Sequence, residues 1–204
     1  MSQQTALPLR RGLDRGPSRI VTGSGNLPVV EALRTPDRWP YRTAVLTGPA
    51  RSGKSLMARW FAQQGRGEAL DEADRMDETD LFHRWNRAQE SGTPLLLVAQ
   101  QPGWEIALPD LRSRLGAALH LEIGPPDDDM ACNLILSLAE EYGLALDEGA
   151  PAYLVPRCTR SYAGLEKLVQ EIDRLSLERK QPATMAIWRA ALEAVMGSEQ
   201  PKLL

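Results

Sequence analysis

The 204-residue chain is 43% hydrophobic and 25% charged, the balance of a globular protein with one domain and an appendage, or two small domains. Its net charge of −3 excludes a broad basic face for duplex DNA, and no segment approaches the roughly 20 apolar residues of a membrane span. Cys132 and Cys158 are too few for a disulfide framework and lack metal-ligand spacing, and His83 and His120 are isolated. With no apolar run of signal-peptide length either, a cytoplasmic protein with reduced thiols is expected.

Residues 1–18 are polar, contain Gly and Pro, and read as an arm. Within it, Gln4-Thr5-Ala6-Leu7-Pro8-Leu9 sets an amide (Gln4) and apolar anchors (Leu7, Leu9) on a stretch that Pro8 keeps extended, a form suited to capture in a partner's groove. Arg19-Ile20-Val21 is a short apolar patch before Gly23-Ser24-Gly25-Asn26, and a helix is predicted over Leu27–Leu33, with Pro28 in its first turn.

Thr43–Leu46 predicts a buried strand and Leu56–Ala62 a helix. Between them, Gly48-Pro49-Ala50-Arg51-Ser52-Gly53-Lys54-Ser55 satisfies Gly-x-x-x-x-Gly-Lys-Ser, the phosphate-binding P-loop. Glycines let the backbone close on an anion, Lys54 reaches the β- and γ-phosphates, the Ser55 hydroxyl holds Mg²⁺, and the new helix aims its N-terminal N–H groups at the phosphates. Gly48 to Leu56 are therefore the candidate phosphate contacts.

After stop signals at Gly65 and Gly67, a short strand over Gly67–Leu70 leads to Asp71 and Glu72. These are candidates for holding Mg²⁺ (Asp71) and polarising the attacking water (Glu72). Glu78–Ser91 predicts an amphipathic helix with Leu81, Phe82, Trp85 and Ala88 on one side. Leu95–Ala99 predicts a buried strand ending at Gln100, placed to sense the γ-phosphate. Pro109–Leu115 predicts a short helix with two arginines, and Leu119–Ile123 a strand. Gly124-Pro125-Pro126 marks an expected boundary between a core over 19–124 and a region over 125–204. There helices are predicted at Asp127–Tyr142, Glu148–Arg157, Ser161–Lys180 and Ala183–Met196.

Three patches carry a resemblance to the DnaA/Hda branch of the AAA+ ATPases, and within it to the Hda-like regulators. Gln4 to Leu9 resembles their sliding-clamp-binding hexapeptide, Gln-Leu-Ser-Leu-Pro-Leu. Leu108-Pro109-Asp110-Leu111-Arg112-Ser113-Arg114-Leu115 resembles their Leu-Pro-Asp-Leu-Ala-Ser-Arg-Leu, whose arginine is the arginine finger. The P-loop follows Gly23–Leu33 as it follows the family's first nucleotide segment. The resemblance implies an α/β P-loop NTPase (AAA+) core with an all-helical C-terminal lid, and ADP or ATP with Mg²⁺ between them. Arg19 and Ile20 would lie near the adenine. The implied partners are the DNA polymerase III sliding clamp and DnaA, whose ATP hydrolysis Arg114 would promote; a homodimer is compatible with the same reading. The tail Gln200-Pro201-Lys202-Leu203-Leu204 mimics a clamp peptide only loosely.

The chain also departs from that family. Only sixteen residues separate Lys54 from Asp71, where DnaA-type cores place another strand and helix. We therefore expect a shortened sheet of four parallel strands with the P-loop strand internal, Gly67–Leu70 at an edge, and no DNA-melting activity or strong direct DNA binding. Ala163 stands at the family's sensor-arginine position, with Arg160 one turn earlier as a partial substitute, and Gln100 replaces an acidic residue. Efficient turnover by the chain itself is thus not expected. Two other readings stay open: an autonomous P-loop NTPase or kinase using Asp71 and Glu72, and a clamp-binding adaptor with a vestigial loop.

Overall fold

The computed structural model describes residues 19–100 and 103–199. Gln4, Leu7, Pro8 and Leu9 and the tail from Gln200 lie outside the described residues. Four strands, β1 (Thr43–Thr47), β2 (Glu68–Leu70), β3 (Leu95–Val98) and β4 (Leu119–Glu122), form one parallel sheet in the order β2-β3-β1-β4. The P-loop strand β1 is internal and β2 is an edge, as expected. Its short length and the Glu68–Arg84 ion pair at 3.0 Å suit an edge.

The apolar runs of β1 and β3 are continuous because both faces of the sheet are covered. Ala44, Leu46, Leu96, Val98 and Ile123 pack on one face with Val29, Val30 and Leu33 of α1 (Leu27–Arg34) and Met57, Ala58 and Phe61 of α2 (Lys54–Gln63). Val45, Leu95 and Leu97 pack on the other with Leu81, Trp85 and Ala88 of α3 (Glu78–Ser91) and Leu111 and Leu115 of α4 (Pro109–Gly116). The alternation of β1 and β3 residues between the two clusters is the period-2 pleat.

Beyond β4 the described chain is helical: α5 (Asp128–Tyr142), α6 (Ala150–Leu154), α7 (Tyr162–Arg179) and α8 (Met185–Glu199). Ile135, Leu154, Leu165, Leu168, Ile172, Ile187 and Ala191 build their shared core. The helix expected over Glu148–Arg157 is instead α6 followed by a 3₁₀ turn at Val155–Arg157, because Pro156 supplies no N–H to continue the α-ladder. The starts follow side-chain caps: Asp77 accepts from the N–H groups of Thr79 and Asp80, Asp127 from Met130, and Ser161 from Gly164. No helix among the described residues is long and apolar enough to cross a membrane.

The helical region is tied to the sheet. Met130 and Tyr162 belong to the same buried cluster as α1 and α2. Asp127 Oδ2 accepts from the Ser24 N–H at 3.0 Å and from its hydroxyl, and the Gly124 N–H donates to Gly25 O at 2.8 Å. The Tyr162 hydroxyl donates to Gly124 O at 3.0 Å. Burial pushes this phenol up to about 12, from 10 for a free tyrosine. A raised folded-state value means that the neutral phenol is the stabilising form. Its contribution is complete below about pH 10 and is lost as pH rises through about 12. Tyr162→Phe is expected to lower stability at neutral pH by about 1 kcal/mol and to remove this part of the alkaline destabilisation, as read by unfolding midpoints at rising pH.

Candidate functional site

The loop between β1 and α2 is shaped by two backbone requirements. Gly48 has φ +152°, and a Cβ there would stand 2.8 Å from Ile123 Cβ, so nothing larger fits. Gly53, φ +86°, caps α2 and has open space where a Cβ would lie. Arg51 is left-handed as well, at φ +65°, which costs a residue with a Cβ about 1–2 kcal/mol. Left-handed residues on either side of Ser52 give the alternation that turns successive N–H groups to one side.

Several polar groups converge in this loop. The first turn of α2 has no side-chain cap, so its leading N–H groups lack intrahelical acceptors. Ser52 is buried, and its Oγ has no hydrogen-bond partner. The Lys54 ammonium, on a side chain only 3% exposed, donates to Gly48 O and Pro49 O at 2.8 Å each. Burial pushes Lys54 below the usual lysine range, while the charges of Asp71 and Asp74 pull it back up. An uncapped helix start, an orphaned buried hydroxyl and a buried cation converge on one loop. That donor set fits a phosphate chain: the loop amides and Lys54 would hold the phosphates, which are the group transferred in any hydrolysis.

The other expected contacts are arranged differently. Arg51 is turned toward the lid, giving Nε and one terminal nitrogen to the two carboxylate oxygens of Glu166 on α7. Asp71 accepts from Gln100 Nε2 at 3.0 Å, so Gln100 braces the carboxylate opposite Lys54. Glu72 does not join Asp71 there: its backbone is left-handed at φ +53° and its carboxylate pairs with Arg75 at 3.1 Å. Asp74, which the sequence pattern did not single out, is the second acidic neighbour of Lys54. Its signal was an i+3 acidic spacing from Asp71 across a 3₁₀ turn at Ala73–Arg75, which nothing in the sequence announces. Ser55 and Leu56 are half-buried in the first turn of α2, and Pro49 and Ala50 line the loop. No group of three His, Cys, Asp or Glu among the described residues could hold a metal alone. A Mg²⁺ held by Ser55 and Asp71 would take its remaining oxygens from phosphate and water.

Arg19 is exposed, while Ile20 and Val21 pack against the α1–α2 cluster. Arg160 pairs with Asp128 at 2.9 Å, both side chains more than half exposed. It is thus engaged within the helical region and not at the loop. The Arg114 guanidinium is held on α3 of its own subunit: it donates to Asn86 Oδ1 at 3.0 Å and lies 4.4 Å from the Trp85 ring centroid and 4.8 Å from that of Phe82. Two aromatic faces and an amide oxygen hold the cation in this position.

A parallel sheet whose internal strand feeds a Gly-x-x-x-x-Gly-Lys-Ser loop, with an all-helical region after it, defines a P-loop NTPase fold of the AAA+ kind with a helical lid. No model of a known protein family matches the chain. Among solved structures, the chain is similar to domain III of the Thermotoga maritima replication initiation protein DnaA, at 14% identity and TM-score 0.70 over 86% of this chain and 94% of that one. It is also similar to AMPPCP-bound DnaA from Aquifex aeolicus, at 14% identity and TM-score 0.55 over 86% and 78% of the two chains. For the FIGL-1 AAA domain in complex with ADP the values are 14%, 0.63, 93% and 86%. At these identities the likeness is one of fold.

Proposed function

We propose that the chain is an adenine-nucleotide-binding AAA+ module that acts in the control of replication initiation. In this reading it docks on the sliding clamp through Gln4, Leu7, Pro8 and Leu9 and promotes hydrolysis of ATP bound to DnaA. The observation that carries nucleotide binding is the convergence of the Ser52 hydroxyl, the uncapped start of α2 and Lys54 on one loop. The regulatory role is supported by the fold likeness to DnaA and by the resemblance of Leu108 to Leu115 to a finger-bearing helix. Self-hydrolysis is disfavoured by the pairing of Glu72 with Arg75.

Arg114 would serve as a finger only after leaving Asn86, Trp85 and Phe82. These contacts are worth about 2–3 kcal/mol together, which a neighbour's phosphates can replace. The test mixes the protein with DNA-loaded clamp and ATP-bound DnaA and measures phosphate release. Stimulation is expected, with an arginine finger worth on the order of 10³–10⁵ in rate, and Arg114→Ala should remove it while leaving clamp binding intact. Unchanged phosphate release with the wild-type protein would reject the regulatory role. A second reading, a clamp adaptor whose loop takes no nucleotide, is favoured by the Arg51–Glu166 pair that closes loop on lid. Calorimetry with ADP separates the two.

A further inference from the structure

We infer that Glu166 sets the preference of this site for a nucleoside diphosphate over a triphosphate, acting through Arg51. The inference rests on the nucleotide-binding reading and deepens it. Of the core–lid links described above, Arg51–Glu166 is the one that begins on the phosphate loop itself, one residue before the orphaned Ser52 hydroxyl. The two partners are unequal: the Glu166 side chain is 13% exposed and that of Arg51 is 60% exposed. The carboxylate is therefore the mostly buried, fixed member, and the guanidinium the one able to swing.

Two observations say that the pair belongs to the ligand cycle. Arg51 keeps a left-handed backbone, at φ +65°, where a glycine would be unstrained; strain of this kind is retained where the surroundings over-determine it. The geometry is also bidentate, Nε and a terminal nitrogen on two oxygens, and phosphate oxygens accept the same fork. An incoming phosphate thus competes with Glu166 for one guanidinium.

The positions that precede Glu166 do not bring it a second cation. Ala163, one turn before Glu166, is exposed and uncharged, and Arg160 is engaged with Asp128. Tyr142 of α5, whose hydroxyl accepts from Gln170 at 2.9 Å, is the other group acting on Arg51. With Arg51 withdrawn, Glu166 would present an uncompensated carboxylate beside the phosphate loop. An uncompensated Glu166 repels the extra charge of a third phosphate, and drawing Arg51 onto that phosphate also gives up the tie between loop and lid.

The experiment is calorimetric titration of the full chain with ADP and with AMPPCP, for the wild type, Glu166→Gln, Glu166→Asp and Arg51→Gly. The wild type is expected to favour ADP. Glu166→Gln should tighten AMPPCP more than ADP by about threefold to thirtyfold, the effect of one charge on another several ångström away in a medium between protein surface and water. Glu166→Asp should restore part of the preference, which a purely structural role would not do. Arg51→Gly, with the acid left uncompensated, should weaken AMPPCP further relative to ADP. AMPPCP binding that appears only in Glu166→Gln supports the inference. An unchanged ADP-to-AMPPCP ratio in a Glu166→Gln protein that binds both overturns it and leaves the nucleotide site standing. Failure of the wild type and Glu166→Gln to bind either ligand overturns both.

Discussion

Replacing Lys54 by alanine is expected to weaken adenine-nucleotide binding by about ten- to hundredfold, the loss of one or two charge-assisted hydrogen bonds. The ammonium bridges Gly48 O and Pro49 O at 2.8 Å, so the loop is curved around its own cation. The desolvation that lowers the Lys54 pKa also makes the charge worth more to an anion, since little water screens it. Lys54→Met keeps the apolar stem and isolates the charge; both variants should lose the rise in unfolding temperature that ADP gives the wild type. ADP affinity equal to wild type in both variants would place any phosphate site elsewhere.

Phe61→Ala is expected to cost about 3–5 kcal/mol of stability, the range for truncating a large buried aromatic. Phe61 is fully buried on α2 and stacks on Trp39 with ring centroids 5.3 Å apart, and Trp39 in turn donates its indole N–H to Ala32 O of α1 at 2.9 Å. One ring thus couples the helix that starts at the phosphate loop to the helix that precedes the sheet. The rigid surroundings cannot close the gap: a Cβ added at Gly67 would already stand 2.9 Å from the Phe61 ring and 2.2 Å from Pro94 O. Phe61→Leu, which refills most of the volume, should lose far less. Urea midpoints with an unchanged m-value measure both.

The fold was readable where backbone chemistry repeats a known pattern. The Gly-Lys-Ser loop needs a strand before it and a helix after it, and the sixteen-residue gap from Lys54 to Asp71 left room for one short strand, so β2 had to be an edge. The 3₁₀ turn at Pro40–Arg42 was not readable, because it depends on left-handed Tyr41 and Arg42, a conformation that those residue types do not advertise. The site was legible as a list and not as a set of pairings. Gln100 on Asp71, Glu72 on Arg75, Arg160 on Asp128 and Arg114 on Asn86 are choices among charged and polar neighbours made by tertiary distance, which spacing along the chain does not encode. Glu166 went unremarked for the same reason: it lies 115 positions after Arg51.

The order β2-β3-β1-β4 has a consequence for synthesis. Both neighbours of β1 come later in the chain, β3 from Leu95 and β4 from Leu119. A growing polypeptide therefore carries Ala44-Val45-Leu46 with both flanks open until Val98 has left the ribosome and one flank open until Glu122 has, a window of several seconds at about 5–20 residues per second. Through that interval the apolar segment invites pairing with foreign strands, so slower translation between Thr43 and Glu122 should raise the demand for holding chaperones.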